Sequence, residues 1–136
     1  MELGPPKVEV HSEPVPLIMK VTAGNRTRHY RTVDFDVVHN TVRLIEQRLL
    51  PHRFEVVATP DYRATAAAIR DMVVRGAGAI GATAAFGLAQ GVRAFRGANL
   101  DRFSRRVATV YETLKAARPT AVDPVNAMDQ VRRRMR

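Results

Sequence analysis

The chain has 136 residues, of which 46% are hydrophobic and 26% charged. That suffices for one compact core and excludes both a disordered tail and two independent domains. Cysteine is absent, so disulfides, thiolate zinc sites and a cysteine nucleophile within the chain are excluded, and a cytoplasmic setting is expected. The formal net charge is +9, from 22 Lys and Arg against 13 Asp and Glu, and 19 of the basic residues are arginine. These arginines are spread from Arg26 to Arg136, with dense runs only at Arg102, Arg105, Arg106 and residues 132–136. No aromatic-plus-basic RNA-binding signature accompanies them, so nucleic acid is not the expected partner. A planar, permanently charged fork of donors equally suits a phosphorylated small molecule.

Residues 1–16 contain no apolar stretch of a secretory signal. The longest uncharged run, residues 76–92, carries five glycines. It falls short of the ~20 apolar residues of a spanning helix. It reads as a buried helix of small residues, and no membrane association is expected.

In chain order, residues 1–30 hold Pro5, Pro6, Pro14 and Pro16 and show no sustained period. They are expected to form an extended or mobile N-terminal arm, with a short strand at 17–21. From Arg31 the pattern alternates, with Val33, Phe35 and Val37 on one side and Asp34 and Asp36 on the other. His39 and Asn40 form a plausible tight turn, because asparagine tolerates positive φ. Residues 41–45 complete a hairpin, and residues 54–58 add a third short strand. The period then becomes helical. Thr59-Pro60-Asp61 is a helix start, followed by Tyr62, Ala66, Ile69 and Val73 at helical spacing. Asp71 and Arg75 form an i,i+4 pair if that helix continues so far. A second helix, from about residue 79 to 95, has no polar face and should be the central one. Its Gly81 and Gly87 would let neighbours approach closely. Asn99 caps a third helix with an apolar stripe of Leu100, Phe103, Val107, Val110, Leu114 and Ala117. Pro119 ends it. Asp123 and Pro124 then read as the cap and first residue of a fourth helix. Its pattern runs to Arg136 without a stop signal, so a truncated chain or a fragment is expected. The fold class is therefore α+β: a small antiparallel N-terminal β-sheet or hairpin followed by a four-helix, bundle-like domain.

Gly76, Gly78 and Gly81 spell the letters of a dinucleotide fingerprint, with Asp101 20 residues beyond. The context does not fit. That fingerprint follows a buried strand, and the preceding segment carries Arg70 and Asp71 in a helical pattern. A more general reading survives. Arg75, Gly76 and Ala77 precede a helix whose unpaired N–H groups and dipole favour an anion. A plain turn between packed helices accounts for the same glycines equally well. Arg118, in the next helix connection, is a second candidate anion ligand; an arginine complementing a helix C-terminus is the commoner explanation of an isolated case. His11, His29, His39 and His52 have no metal-ligand spacing, and Ser12 and Ser104 have no nucleophile-elbow context. Neither a catalytic constellation, nor a metal site, nor a cofactor is expected.

Three segments carry a family resemblance. The run Ala68-Ile69-Arg70-Asp71-Met72-Val73-Val74-Arg75-Gly76-Ala77-Gly78-Ala79-Ile80-Gly81 closely resembles a segment of the methylthioribose-1-phosphate isomerases. Ala117-Arg118-Pro119-Thr120-Ala121-Val122-Asp123, followed by Asn126-Ala127-Met128-Asp129, is similar to a second, and Arg43-Leu44-Ile45-Glu46-Gln47-Arg48-Leu49-Leu50-Pro51 to a third. The resemblance covers residues 31–136. The wider superfamily includes ribose-1,5-bisphosphate isomerases and the α-type regulatory subunits of translation initiation factor 2B. Gly78 stands where that family has proline, which leaves the turn looser, and Asp123 where it has asparagine, which adds a negative charge.

The resemblance implies that residues 31–136 are the N-terminal domain of a two-domain protein whose Rossmann-like C-terminal domain is absent. It implies substrate-binding roles for Arg75, Gly76, Ala77 and Arg118. The family's catalytic cysteine and aspartate lie in the C-terminal domain and have no counterpart here. The implied activity is an aldose–ketose isomerisation of 5-methylthioribose 1-phosphate to 5-methylthioribulose 1-phosphate in methionine salvage, with no turnover by this chain alone. The implied partners are a phosphorylated pentose and either a separate chain carrying the C-terminal domain or a second copy of this one. The alternative is a regulatory or interaction module of the initiation factor 2B α type.

Overall fold

The computed structural model describes residues 7–11 and 18–135. Strands β1 (Lys7–His11), β2 (Ile18–Ala23) and β3 (Arg26–Arg31) form one antiparallel meander in the order β1-β2-β3. Strands β4 (Val33–Asp36), β5 (Thr41–Ile45) and β6 (Val56–Thr59) form a second, β4-β5-β6. Four helices follow: α1 (Tyr62–Arg70), α2 (Ala77–Arg93), α3 (Leu100–Ala117) and α4 (Val122–Arg134).

The meander differs from the arm expected before Arg31. Prolines dominated that reading, but in the described residues the extended segments pair with one another, Lys20 opposite His29 and Val21 opposite Arg28. Antiparallel neighbours joined by a tight turn satisfy their backbone groups without needing a strongly apolar pattern. Residue 17, the start of the short strand expected there, lies outside the described residues.

The second sheet is half-buried, as its alternation predicts. The register sets Val33 opposite Leu44, Phe35 opposite Val42, and Val42 opposite Thr59. Val33, Val42 and Leu44 thereby enter the same core as Ile69, Ala84, Leu88, Leu114 and Met128. Val37 leaves this pattern: β4 ends at Asp36, and Val37 is exposed. Asn40 makes the turn at φ 52. At the far end of β5, Arg48 donates to Glu46 at 2.8 and 2.9 Å. That bond holds the Glu46 carboxyl below its usual range.

Helix α2 is the central element, packed against α1, α3 and α4 and against β4 and β5. Its glycines decide how closely. A Cβ on Gly91 would lie 2.6 and 2.7 Å from the two Val110 methyl groups of α3. A Cβ on Gly81 would lie 3.3 Å from the Asp123 carbonyl oxygen of α4. Helices α3 and α4 are joined by Tyr111, whose hydroxyl donates to Asp129 Oδ1 at 2.9 Å beneath the Arg132 guanidinium. Burial, reinforced by Asp129, pushes the Tyr111 phenol up from its ordinary pKa and keeps it a donor. Leu100, expected in the apolar stripe of α3, is 79% exposed, because it is the first residue of the helix and precedes the packed turns.

A buried amide ties sheet to bundle. Gln90 Nε2 donates to Thr59 O at 2.7 Å and Asn40 O at 3.0 Å, and Gln90 Oε1 accepts from Thr65 Oγ1 at 2.7 Å. Asn40 Nδ2 donates back to Gln90 O at 3.0 Å. One side chain of α2 thus engages the β4–β5 turn, the end of β6 and α1.

Replacing Gly91 with alanine should lower unfolding free energy by about 1–3 kcal/mol. The overlap with the β-branched, fully buried Val110 outweighs the helix propensity gained, about 1 kcal/mol. A fall in the urea midpoint at unchanged slope is the expected result. A raised midpoint would mean that α2 and α3 stand farther apart.

Candidate functional site

The first helix ends before the Arg75-Gly76-Ala77 turn begins, and the ending shapes that turn. Asp71 is the C-cap of α1, and Met72 adopts φ 63. Met72 N donates to Ile69 O and Val73 N to Ala68 O, which closes the helix with reversed bonds around a left-handed residue. The i,i+4 pair of Asp71 with Arg75 is therefore not formed, since Arg75 lies beyond the helix. Asp71 instead accepts from Arg70 Nε at 3.1 Å, and that bond lowers the Asp71 pKa.

Arg75 is exposed and leads into Gly76, the N-cap of α2, at φ 90. Ala77 and Gly78 are exposed in the first turn of α2, which begins two residues earlier than its apolar pattern suggests. Arg118 is the half-buried C-cap of α3. Ala121 N donates to Arg118 O, and this turn starts α4 at Val122 with Ala121 as its N-cap. Asp123 is thus the second residue of α4 rather than its cap, and Pro124 the third. Proline is tolerated there because an N–H in the first turn has no intrahelical acceptor anyway.

The fold brings these two segments to one end of the bundle. Gly81, one turn into α2, abuts Asp123 and Ala127 in the first turns of α4, so both helices start side by side. Arg118 lies five residues before Asp123, and Arg75 six before Gly81. Neither arginine side chain makes a hydrogen bond or ion pair with another described residue. The structure sets the segments, not the two guanidinium groups, against each other.

The caps divide the helices into two classes. Asp61 accepts from Ala64 N at 2.8 Å to cap α1, and Asn99 accepts from Arg102 N at 3.0 Å to cap α3. Helices α2 and α4 have no side-chain cap. The two helix starts that share one end are therefore the two whose first N–H groups face outward without a side-chain acceptor. Unpaired donors and the positive ends of two helix dipoles favour an anion. The Asp123 carboxylate opposes it.

Two concavities lie elsewhere and touch none of Arg75, Gly76, Ala77 and Arg118. One, of about 500 Å³, is lined by Tyr30, Arg31, Asp34, Arg43 and Leu44 between the two sheets. The other, of about 220 Å³, lies near the C-terminal end of α2. Arg75, Gly76 and Ala77 are exposed, and Arg118 is half-buried. Among the described residues no group of three or more His, Asp or Glu could hold a metal, and no helix is long and apolar enough to cross a membrane.

The Gln90 network escaped the sequence reading. The available signal was a lone amide within the uncharged run. Its partners, Thr59, Thr65 and Asn40, are scattered along the chain and show no spacing.

Comparison with known proteins finds relatives that share these segments. Residues 73–136, which hold both candidate segments, match the initiation factor 2 subunit family. The chain is 50% identical over 94 residues to the methylthioribose-1-phosphate isomerase of Methylocella silvestris, covering 68% of this chain and 24% of that protein. It is 42% identical over 107 residues to a putative methylthioribose-1-phosphate isomerase of Pyrococcus abyssi, covering 79% of this chain and 30% of that one. The crystal structure of 5-methylthioribose 1-phosphate isomerase from Pyrococcus horikoshii superposes with a TM-score of 0.71 at 39% identity, over 76% of this chain and 28% of that one. The translation initiation factor eIF-2B subunit delta from A. fulgidus gives 0.66 at 30% identity, over 73% and 28%. The chain thus spans between 24% and 31% of the length of the curated relatives it matches. The small sheet followed by four helices is shared with these folds.

Gly76 and Gly78 should respond to alanine in opposite directions. At φ 90 with no neighbouring atom within 4 Å, Gly76→Ala meets backbone strain alone and should cost about 1 kcal/mol. Gly78→Ala, on an exposed helical residue, should stabilise by roughly 0.5–1 kcal/mol. Thermal unfolding of the pair checks this. Equal effects would mean that the turn does not hold its positive φ.

Proposed function

We propose that this chain, whose residues 73–136 match the initiation factor 2 subunit family, is the N-terminal, substrate-binding part of an aldose–ketose isomerase acting on 5-methylthioribose 1-phosphate. The observation that carries this reading is the pairing of two uncapped helix starts, α2 and α4, at the end where Arg75 and Arg118 have no partner among the described residues. The proposed ligands are the backbone N–H groups of Gly76 and Ala77 and the guanidinium groups of Arg75 and Arg118. Curated relatives named for the same substrate support the choice of sugar phosphate.

A 1-phosphate blocks ordinary opening of the sugar ring to a free aldehyde. The ring has to open with the phosphate retained, and hydrogen then moves from C2 to C1. The isomerisation is redox-neutral overall and consumes no co-reactant. In this scheme Arg75 and Arg118 fix the phosphoryl oxygens by charge-assisted bonds and neutralise them in advance. The two helix starts add donors that need no reorganisation. The groups that move the proton come from the Rossmann-like C-terminal domain, which lies outside this sequence. Arg75, Gly76 and Ala77 are exposed, which fits a site completed by a partner. The chain alone then binds but does not turn over. A cytoplasmic setting suits a phosphorylated substrate and a chain without cysteine.

Calorimetric titration of the 136-residue chain with 5-methylthioribose 1-phosphate tests the reading. Arg75→Ala and Arg118→Ala should each weaken binding by about tenfold or more. Asp123→Asn should tighten it severalfold by removing a like charge, most clearly at low ionic strength. Unaltered affinity in both arginine variants contradicts the site, and isomerisation by the isolated chain contradicts the division of labour. Structural likeness to the initiation factor subunit favours a second reading, an interaction module without catalysis. Absence of sugar-phosphate affinity together with binding to guanine-nucleotide-handling proteins would select it.

A further inference from the structure

The second sheet has an outer face, opposite the one that Val33, Val42 and Leu44 give to the helical core. The register sets Asp34, Arg43 and Ala58 in one row of that face and Ile45 with Val56 in the next. Ile45 is buried there, packed by Tyr30, Leu50 and Phe54 in a small core of its own. The Tyr30 and Phe54 ring centroids are 4.8 Å apart, and Ile45 N donates to Thr32 O at 3.1 Å. The end of β3 is thereby fixed against the second sheet. Between them lies the cavity of about 500 Å³, lined by His29, Tyr30, Arg31, Asp34, Arg43 and Val56, among others. That size suits a small organic molecule, and the isomerase reading uses none of these residues.

The charges in the lining do not cancel. Both Asp34 oxygens are engaged: Oδ1 accepts from Phe35 N and Oδ2 from Arg43 Nη2, each at 2.9 Å. Arg31 is exposed and makes no hydrogen bond or ion pair with another described residue. The cavity therefore carries one permanent positive charge that lacks a carboxylate. Accessible apolar surface accompanies it, from Val56, 49% exposed, and from the half-buried Tyr30.

We propose that this cavity binds a monocarboxylate with a compact apolar body. The carboxylate pairs with the Arg31 guanidinium, whose planar fork matches its two oxygens, and the body lies against Tyr30 and Val56. A phosphate dianion brings a second negative charge into a cavity that already holds the Asp34 carboxylate, and it leaves the apolar surface uncovered. An amine finds no unengaged carboxylate among the lining residues, and a neutral apolar molecule leaves Arg31 unmatched.

Titration of the 15N-labelled chain with 3-phenylpropionate tests the proposal. Saturable backbone amide shifts are expected at residues 29–31, 43 and 56, and none at 76–79 or 121–123, so this site and the proposed phosphate site fail separately. Acetate, which has the charge without the body, 3-phenylpropanol, which has the body without the charge, and inorganic phosphate should each bind at least about tenfold more weakly. Arg31→Gln should weaken 3-phenylpropionate binding about tenfold and Val56→Ser severalfold. Both residues are exposed, so the rest of the spectrum should stay unchanged. Absence of saturable shifts at residues 29–31, 43 and 56, an equal response to acetate, phosphate or 3-phenylpropanol, or unaltered affinity in Arg31→Gln would overturn it.

Discussion

The arrangement depends on how closely α2 can be approached by its neighbours. Where Gly91 faces Val110 and Gly81 faces Asp123, the space a Cβ would need is already taken or tightly bounded. Larger residues at these positions would push α3 and α4 outward, and the start of α4 would no longer lie beside the start of α2. Close-packed interiors transmit such changes instead of absorbing them. Spacing inside the bundle therefore fixes which backbone donors meet at its surface.

Under the proposed function, that geometry is how so uncharged a helix would serve a charged ligand. Helix α2 carries no acidic or basic side chain before Arg93, and its contribution at the Arg75 end is backbone polarity. The flanking arginines come from the turn before it and from the end of α3. Several other arginines have work within the fold: Arg48 on Glu46, Arg93 on Val37 O and the Phe35 ring, Arg132 on Tyr111. The +9 charge is thus divided between packing and surface, which is why composition alone suggests nucleic acid more strongly than the arrangement does.

Much of this was legible in the residues. Alternation marked β4 and β5, Asn40 announced a positive φ, and Asn99 capped α3 as read. The lack of a polar face foretold a central helix, and Gly81 and Gly87 foretold its close approach to neighbours. The misses have physical causes. The antiparallel pairing of β1, β2 and β3 satisfies backbone groups and leaves little trace in a proline-rich segment. Met72 closes α1 in a conformation usually given to glycine, so nothing marked the end that separates Asp71 from Arg75. Asp123 resembles a cap by type, but the turn at Arg118 begins the helix earlier. At the candidate site the sequence singled out Arg75, Gly76, Ala77 and Arg118. It did not reveal that α2 and α4 both lack side-chain caps and start together, because that is a relation between elements.

The central claim is that two helix starts act as one anion site. Backbone amide shifts of the 15N-labelled chain, followed during titration with 5-methylthioribose 1-phosphate, test it most directly. The account predicts downfield shifts at residues 76–79 of α2 and 121–123 of α4 that saturate with a single shared dissociation constant. Shifts confined to one helix, or two helices saturating independently, would contradict it.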